Sequence, residues 1–133
     1  MPFSSYFTEF GLTYREIEKD GFVTNKKVEM ILSSDTPSAI SKSVGLGIIC
    51  NSDSLEKLQP DIVGLFGDRF EMLAAVIASN FAKIPIAHLV GGETTIGTID
   101  ETIRHSIKKI FYWHFVATKQ YRKRVIQLGE KPN

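Results

Sequence analysis

The sequence has one cysteine, Cys50, among its 133 residues. A single thiol cannot close an intramolecular disulfide or form a cysteine-based zinc site, and it suits a reduced, cytoplasmic setting. Long apolar runs are missing too. The longest, 44–50, falls far short of the roughly 20 residues needed to cross a bilayer. Met1 is followed by Pro2, Phe3 and Ser4, with no basic stretch ahead of an apolar one, so no secretory leader is expected. Neither sign of charge is in surplus. Sixteen Lys and Arg face fifteen Asp and Glu, and a net charge of +1 favours neither nucleic acid nor an acidic membrane as partner. His88, His105 and His114 are scattered, and neither CxxC nor HExxH occurs, so no metal site is expected. GLGIIC at 45–50 has the wrong spacing for GxGxxG and lies in a helical pattern, so no phosphate-binding loop is expected.

What remains is ordinary globular material: 43% hydrophobic and 23% charged residues, enough for one domain with a real core. Residues 1–27 are the least regular, with a short helix expected over 13–19 and stopped at Asp20-Gly21. From 28 the pattern alternates. VEMIL (28–32), DIVGLF (61–66), IPIAHLV (84–90) and WHFVAT (113–118) read as strands. Ser33 to Thr36 offer helix caps, and Pro37 sits at a first helical position. That helix runs towards Pro60, weakened by Gly45 and Gly47 and open to interruption at 51–54. FEMLAAVIASNF (70–81) is apolar nearly all round, which suits a buried helix. A helix over 100–112 and a last one capped by Thr118 complete the series. Non-alternating apolar strands joined by helices give an α/β, Rossmann-like parallel sheet with helices on both faces.

In such sheets ligands sit beyond the carboxyl ends of the strands. Asp68 and Arg69 follow one strand. Asp68 reads equally as a helix cap or as a catalytic carboxylate, and Arg69 as a solvated cation or as an anion contact. His88 lies inside an apolar run, where a lone histidine is usually a core residue. Gly91-Gly92 suits either a tight turn or close approach of backbone to substrate. Glu93 opens the next loop. Asp100 and Glu101 stand at a helix start, where the dipole favours acids anyway. Asp100–Arg104 and Glu101–His105 have i,i+4 spacing, and Thr98 with Glu101 has capping-box spacing. The signal lies in convergence: Asp68, Glu93 and Asp100 all belong to one rim.

GDRFE and LAA (67–75), IPIAH and GGE (84–93), GTIDETIRH (97–105) and HFVAT with YRKRVIQLGE (114–130) resemble the hydrolysing UDP-N-acetylglucosamine 2-epimerases. The sialic and legionaminic acid branch is the nearest in pattern, and EFGLTYREIEKDGF and SSDTPSAISKSVGL resemble it as well. The resemblance implies two Rossmann-like domains of the glycosyltransferase-B type with the site between them. It implies elimination of UDP across C1–C2 of UDP-N-acetylglucosamine, then hydration to N-acetylmannosamine, with no metal or redox cofactor. Carboxylates would do the acid–base work. By matching position, Asp68 and Asp100 are catalytic and Glu93 is the further carboxylate. Arg69, Arg104, His105 and His88 lie on the substrate side. Val90 occupies a place where several family members carry a third carboxylate. The chain also reads as one partial domain, 1–133, without the family's first strand, its nucleotide loop or the second domain. The expectations are therefore inactivity in isolation and self-association as a homo-oligomer, through edges left by the missing central strand. The alternative is a non-catalytic α/β module that binds a partner or a sugar.

Overall fold

The computed structural model describes residues 4–5, 18–67, 69–92 and 99–132, with the backbone only for Ser4, Ser5, Ile99 and Asp100. Two short strands come first: β1 (Ser4–Ser5) and β2 (Lys27–Val28). They are followed by α1 (Pro37–Leu58), β3 (Val63–Phe66), α2 (Phe70–Phe81), β4 (Ile86–Leu89), α3 (Ile99–Lys108), β5 (Trp113–Phe115) and α4 (Lys119–Gln127). The parallel α/β class expected from the sequence is borne out: β3, β4 and β5 form one parallel sheet in that order.

Among the described residues the β1–β2 pair is a separate parallel sheet. The sequence pattern held no sign of a strand at Ser4–Ser5, yet this is what β2 pairs with, rather than β3. β2 is also shorter than the apolar run 28–32, because Met30 leaves the sheet to pack on α1. Most of the helix expected over 13–19 lies outside the described residues. Its last two residues, Glu18 and Lys19, are helical, and the Gly21 N–H closes on the Glu18 carbonyl at 3.1 Å.

Helix α1 begins as the sequence announces, with Pro37 in its first turn and the Thr36 hydroxyl accepting from the Ala39 N–H at 3.3 Å. It is not interrupted at 51–54. Asn51 Nδ2 donates to the Gly47 carbonyl at 2.7 Å, Ser52 Oγ to Ile48 at 2.8 Å and Ser54 Oγ to Cys50 at 2.6 Å. Side chains that compete with a helix when they turn on their own backbone are spent here on carbonyls one turn back. Gly47 is a socket rather than a weakness. A Cβ there would lie 2.5 Å from Met30 Cε and 2.9 Å from Ala74 Cβ.

Register and pleat set the core. Val63 pairs with Ile86 and Leu65 with His88, so these side chains share one face. Leu55 of α1, Ala75, Val76 and Ala78 of α2, Ile103 and Ile107 of α3, and Phe111 pack on that face. A smaller cluster joins Val28 and Met30 to Ala74. Thr118 caps α4 as expected, its hydroxyl accepting from the Tyr121 N–H at 3.2 Å. Among the described residues no helix is long and apolar enough to cross a membrane.

Candidate functional site

The rim at the carboxyl ends of β3 and β4 is built from two turns. After β3, Gly67 adopts φ +95, a left-handed conformation that only glycine takes without strain. After β4 come Val90 at φ +64 and Gly92 at φ +85. Positive φ in a β-branched residue is a true outlier. It is held here by β5, whose Phe115 carbonyl accepts from the N–H groups of Val90 (2.8 Å) and Gly91 (3.3 Å). Gly91 and Gly92 are needed for packing. A Cβ on Gly91 would stand 3.0 Å from His88 Nδ1, and one on Gly92 2.7 Å from both Cβ and the carbonyl oxygen of Tyr121. Arg124 Nη1 also donates to the Gly92 carbonyl at 3.3 Å. Gly92 is therefore the seat of α4, while Gly91 makes room for the His88 ring.

His88 ties the turns together. It is fully buried, and its Nε2 lies 2.9 Å from the Gly67 carbonyl. A carbonyl only accepts, so the ring carries a proton on Nε2. Phe111 stacks on the ring with centroids 4.3 Å apart, and His114, its register partner on β5, meets it edge-on at 5.9 Å. Burial holds the His114 pKa below its ordinary 6.5, partly offset by the Glu130 carboxylate 4.0 Å away. Lys109 Nζ holds the same carboxylate at 2.8 Å.

On α3, Glu101 bonds both neighbours, Arg104 Nη1 through Oε2 and His105 Nε2 through Oε1 at 3.0 Å. The expected Glu101–His105 pair is thus present. Arg104 is buried and His105 half exposed. Arg69, exposed at the mouth of α2, lies 5.7 Å over the Phe70 ring and 3.6 Å from Glu71 Oε1. Asp68, Glu93 and Thr98 lie outside the described residues, and so does the side chain of Asp100, whose backbone is in the first turn of α3. Sequence reading passed over Glu71, whose carboxylate is buried in the first turn of α2. The available signal was its place as the only charged residue in an otherwise apolar helix. Among the described residues no three His, Cys, Asp or Glu cluster as a metal site would. A 520 Å³ cavity lined by Leu55, Gln59, Pro60 and Ile84 sits at the opposite end, ahead of β3 and β4, away from this rim.

Residues 4–133 match the family model for UDP-N-acetylglucosamine 2-epimerase. The chain belongs to that family. A relative from Campylobacter jejuni, a hydrolysing GDP/UDP-N,N'-diacetylbacillosamine 2-epimerase, is 47% identical over 123 residues, covering 92% of this chain and 32% of the relative. A Legionella pneumophila UDP-N,N'-diacetylbacillosamine 2-epimerase is 41% identical, with 92% and 32% covered. The chain therefore spans about a third of the length of the curated relatives it matches. In three dimensions it superposes on the Neisseria meningitidis UDP-GlcNAc 2-epimerase, solved with UDP-GlcNAc, with a TM-score of 0.83 at 18% identity, covering 96% of this chain and 35% of that one. That likeness concerns the fold.

Proposed function

We propose that this chain supplies one rim of the sugar-nucleotide cleft of a hydrolysing UDP-sugar 2-epimerase in the cytoplasm, serving sialic-acid-type sugar synthesis. The reaction is removal of UDP by elimination across C1–C2 of a 2-acetamido UDP-sugar, followed by hydration to the free 2-epimer. Family membership over residues 4–133, with two glycine-bearing turns at the strand ends, carries this reading. Asp68 and Asp100 act as the acid–base pair, Glu93 as the further carboxylate, and Arg69 and His105 face the nucleotide sugar. The burial of His88 and Arg104 supports an indirect part for both, His88 holding the Gly67 turn and Arg104 orienting Glu101. The substrate is UDP-N-acetylglucosamine or a diacetamido relative, the second favoured by the names of the two relatives above. With a third of the family length, the chain alone binds without turnover.

The test is a segment exchange. This chain replaces the matching 123 residues of the Campylobacter jejuni relative, and UDP release is measured with both substrates. Turnover is expected with at least one substrate, falling about 10²–10⁴-fold in D68N and in D100N. A chimera that turns over equally well with both substitutions sinks the assignment. Val90, where a carboxylate was expected, favours a second reading, a module that binds sugar without catalysis. A folded chimera that binds UDP-sugar and releases no UDP supports that reading.

A further inference from the structure

Two residues at the mouth of α2 break local rules side by side. The N-cap position, where Asn, Asp, Ser and Thr are strongly preferred, is held by Arg69, whose side chain makes no cap hydrogen bond. Its backbone is fixed nonetheless: the Arg69 carbonyl accepts from the N–H groups of Met72 at 2.9 Å and Leu73 at 3.3 Å. Two positions on, Glu71 is the only charged residue of α2 and is 3% exposed. The helix dipole favours an acid in the first turn, but it acts on an acid left in water too. Burying the carboxylate is a cost that the dipole does not explain. Departures from local rules gather at functional sites, and here they are the two ends of one ion pair.

We infer that Glu71 is a positioning residue: its buried carboxylate holds the Arg69 guanidinium on the rim, oriented for the anion of the nucleotide sugar. This rests on the reading of Arg69 as a nucleotide-sugar contact. Glu71 Oε1 lies 3.6 Å from Arg69 Nη2, and the guanidinium lies 5.7 Å over the Phe70 ring. Phe70 packs against both apolar clusters, so ring and carboxylate are fixed supports. The Arg69 side chain is 58% exposed and that of Glu71 3%, so the pair runs from the interior to the rim. The separation matters as well. A formed N–H···O bond is about 2.7–3.2 Å long, so at 3.6 Å the carboxylate aligns the Nη2 donor without consuming it. An arginine loose on a surface has the binding geometry only part of the time, and apparent affinity falls by that fraction. Held from behind, Arg69 meets the anion already oriented.

The Arg69 Nε–H resonance of the isotope-labelled chain, identified by its loss in R69K, tests this with UDP as the probe. In the wild type it is expected to be ordered before UDP is added and to shift on titration. In E71Q its order parameter falls towards that of a free side chain, and the dissociation constant for UDP rises about 5–20-fold. E71M removes the charge at similar volume in a helix with no other charged residue. It gives the same result and covers a failure of E71Q to fold. E71D keeps the charge and restores most of the order and affinity. In the R69A background, E71Q changes the constant by less than about twofold, because Glu71 acts through Arg69. An Arg69 signal equally ordered with and without the Glu71 charge overturns the inference, and so does an E71Q effect on affinity that persists in R69A. A wild-type signal ordered by Glu71 yet unmoved by saturating UDP is a different failure. The nucleotide-sugar reading of Arg69 then falls, and the role of Glu71 in it falls too.

Discussion

The turns after β3 and β4 face the same rim, and both use left-handed backbone, but they are built on opposite principles. Gly67 stands in open space: a Cβ there would meet nothing within 4 Å, and the conformation alone demands glycine. Gly92 is enclosed by Tyr121, and Gly91 by His88 and His114. Among the described residues the first turn is held by His88 at the Gly67 carbonyl. The second is a joint in which β4, β5 and α4 meet. The rim thus combines one turn that asks only for glycine's conformation with one that also depends on the packing around it.

Substitutions can break this contrast or sharpen it. Gly92→Ala combines a left-handed alanine with a backbone clash and should cost about 3–4 kcal/mol in urea unfolding, while loosening α4. A cost under about 1 kcal/mol would mean the joint is slack. His88→Ala removes the tie between the turns and leaves the Gly67 carbonyl without its donor. About 2–3 kcal/mol should be lost, with faster amide exchange at both turns. Exchange confined to one turn would show that His88 serves only that one. Gly67→Ala should cost about 1–2 kcal/mol, from conformation alone. A loss equal to that of Gly92→Ala would erase the distinction. Val90→Gly relieves an outlier and should raise stability by under about 1 kcal/mol, since glycine's own entropy offsets part of the relief. A clear fall in thermal midpoint would show that the valine side chain matters more than its backbone.

The smallest effect is in pH. The His114 pKa is lowered by burial, so the unfolded chain binds its proton first as pH falls. The contribution of neutral His114 is full above 6.5 and is lost below it, down through the lowered folded value. His114→Gln should flatten that part of the stability profile, and an unchanged slope would move the origin elsewhere.

The legible parts of the sequence were those governed by local rules. The Thr36 and Thr118 caps, the limits of α2 and the parallel class follow from spacing and side-chain chemistry. Three features were decided at a distance. The polar run 51–54 stays helical because its side chains bond backward, which spacing leaves open. Gly47 is set by Met30, seventeen positions earlier, and Gly92 by Tyr121, twenty-nine positions later. His88, counted with the substrate-side residues, is enclosed because Phe111 and His114 arrive from the β5 side. The motif blocks located the rim, but only packing separates a residue that touches a ligand from one that holds the rim in place.

The Met30–Gly47 socket has one more consequence. The cluster of Val28, Met30 and Ala74 is distinct from the core over β3 and β4, with Phe70 packed against both. Opening it exposes the approach to α1 without disturbing the main sheet. Residues 22–36 and the sheet then behave as two cooperative units of unequal strength. Limited proteolysis would trim the first while the second survives as a resistant fragment, and the Met30 thioether, buried at rest, becomes oxidisable only in the opened form.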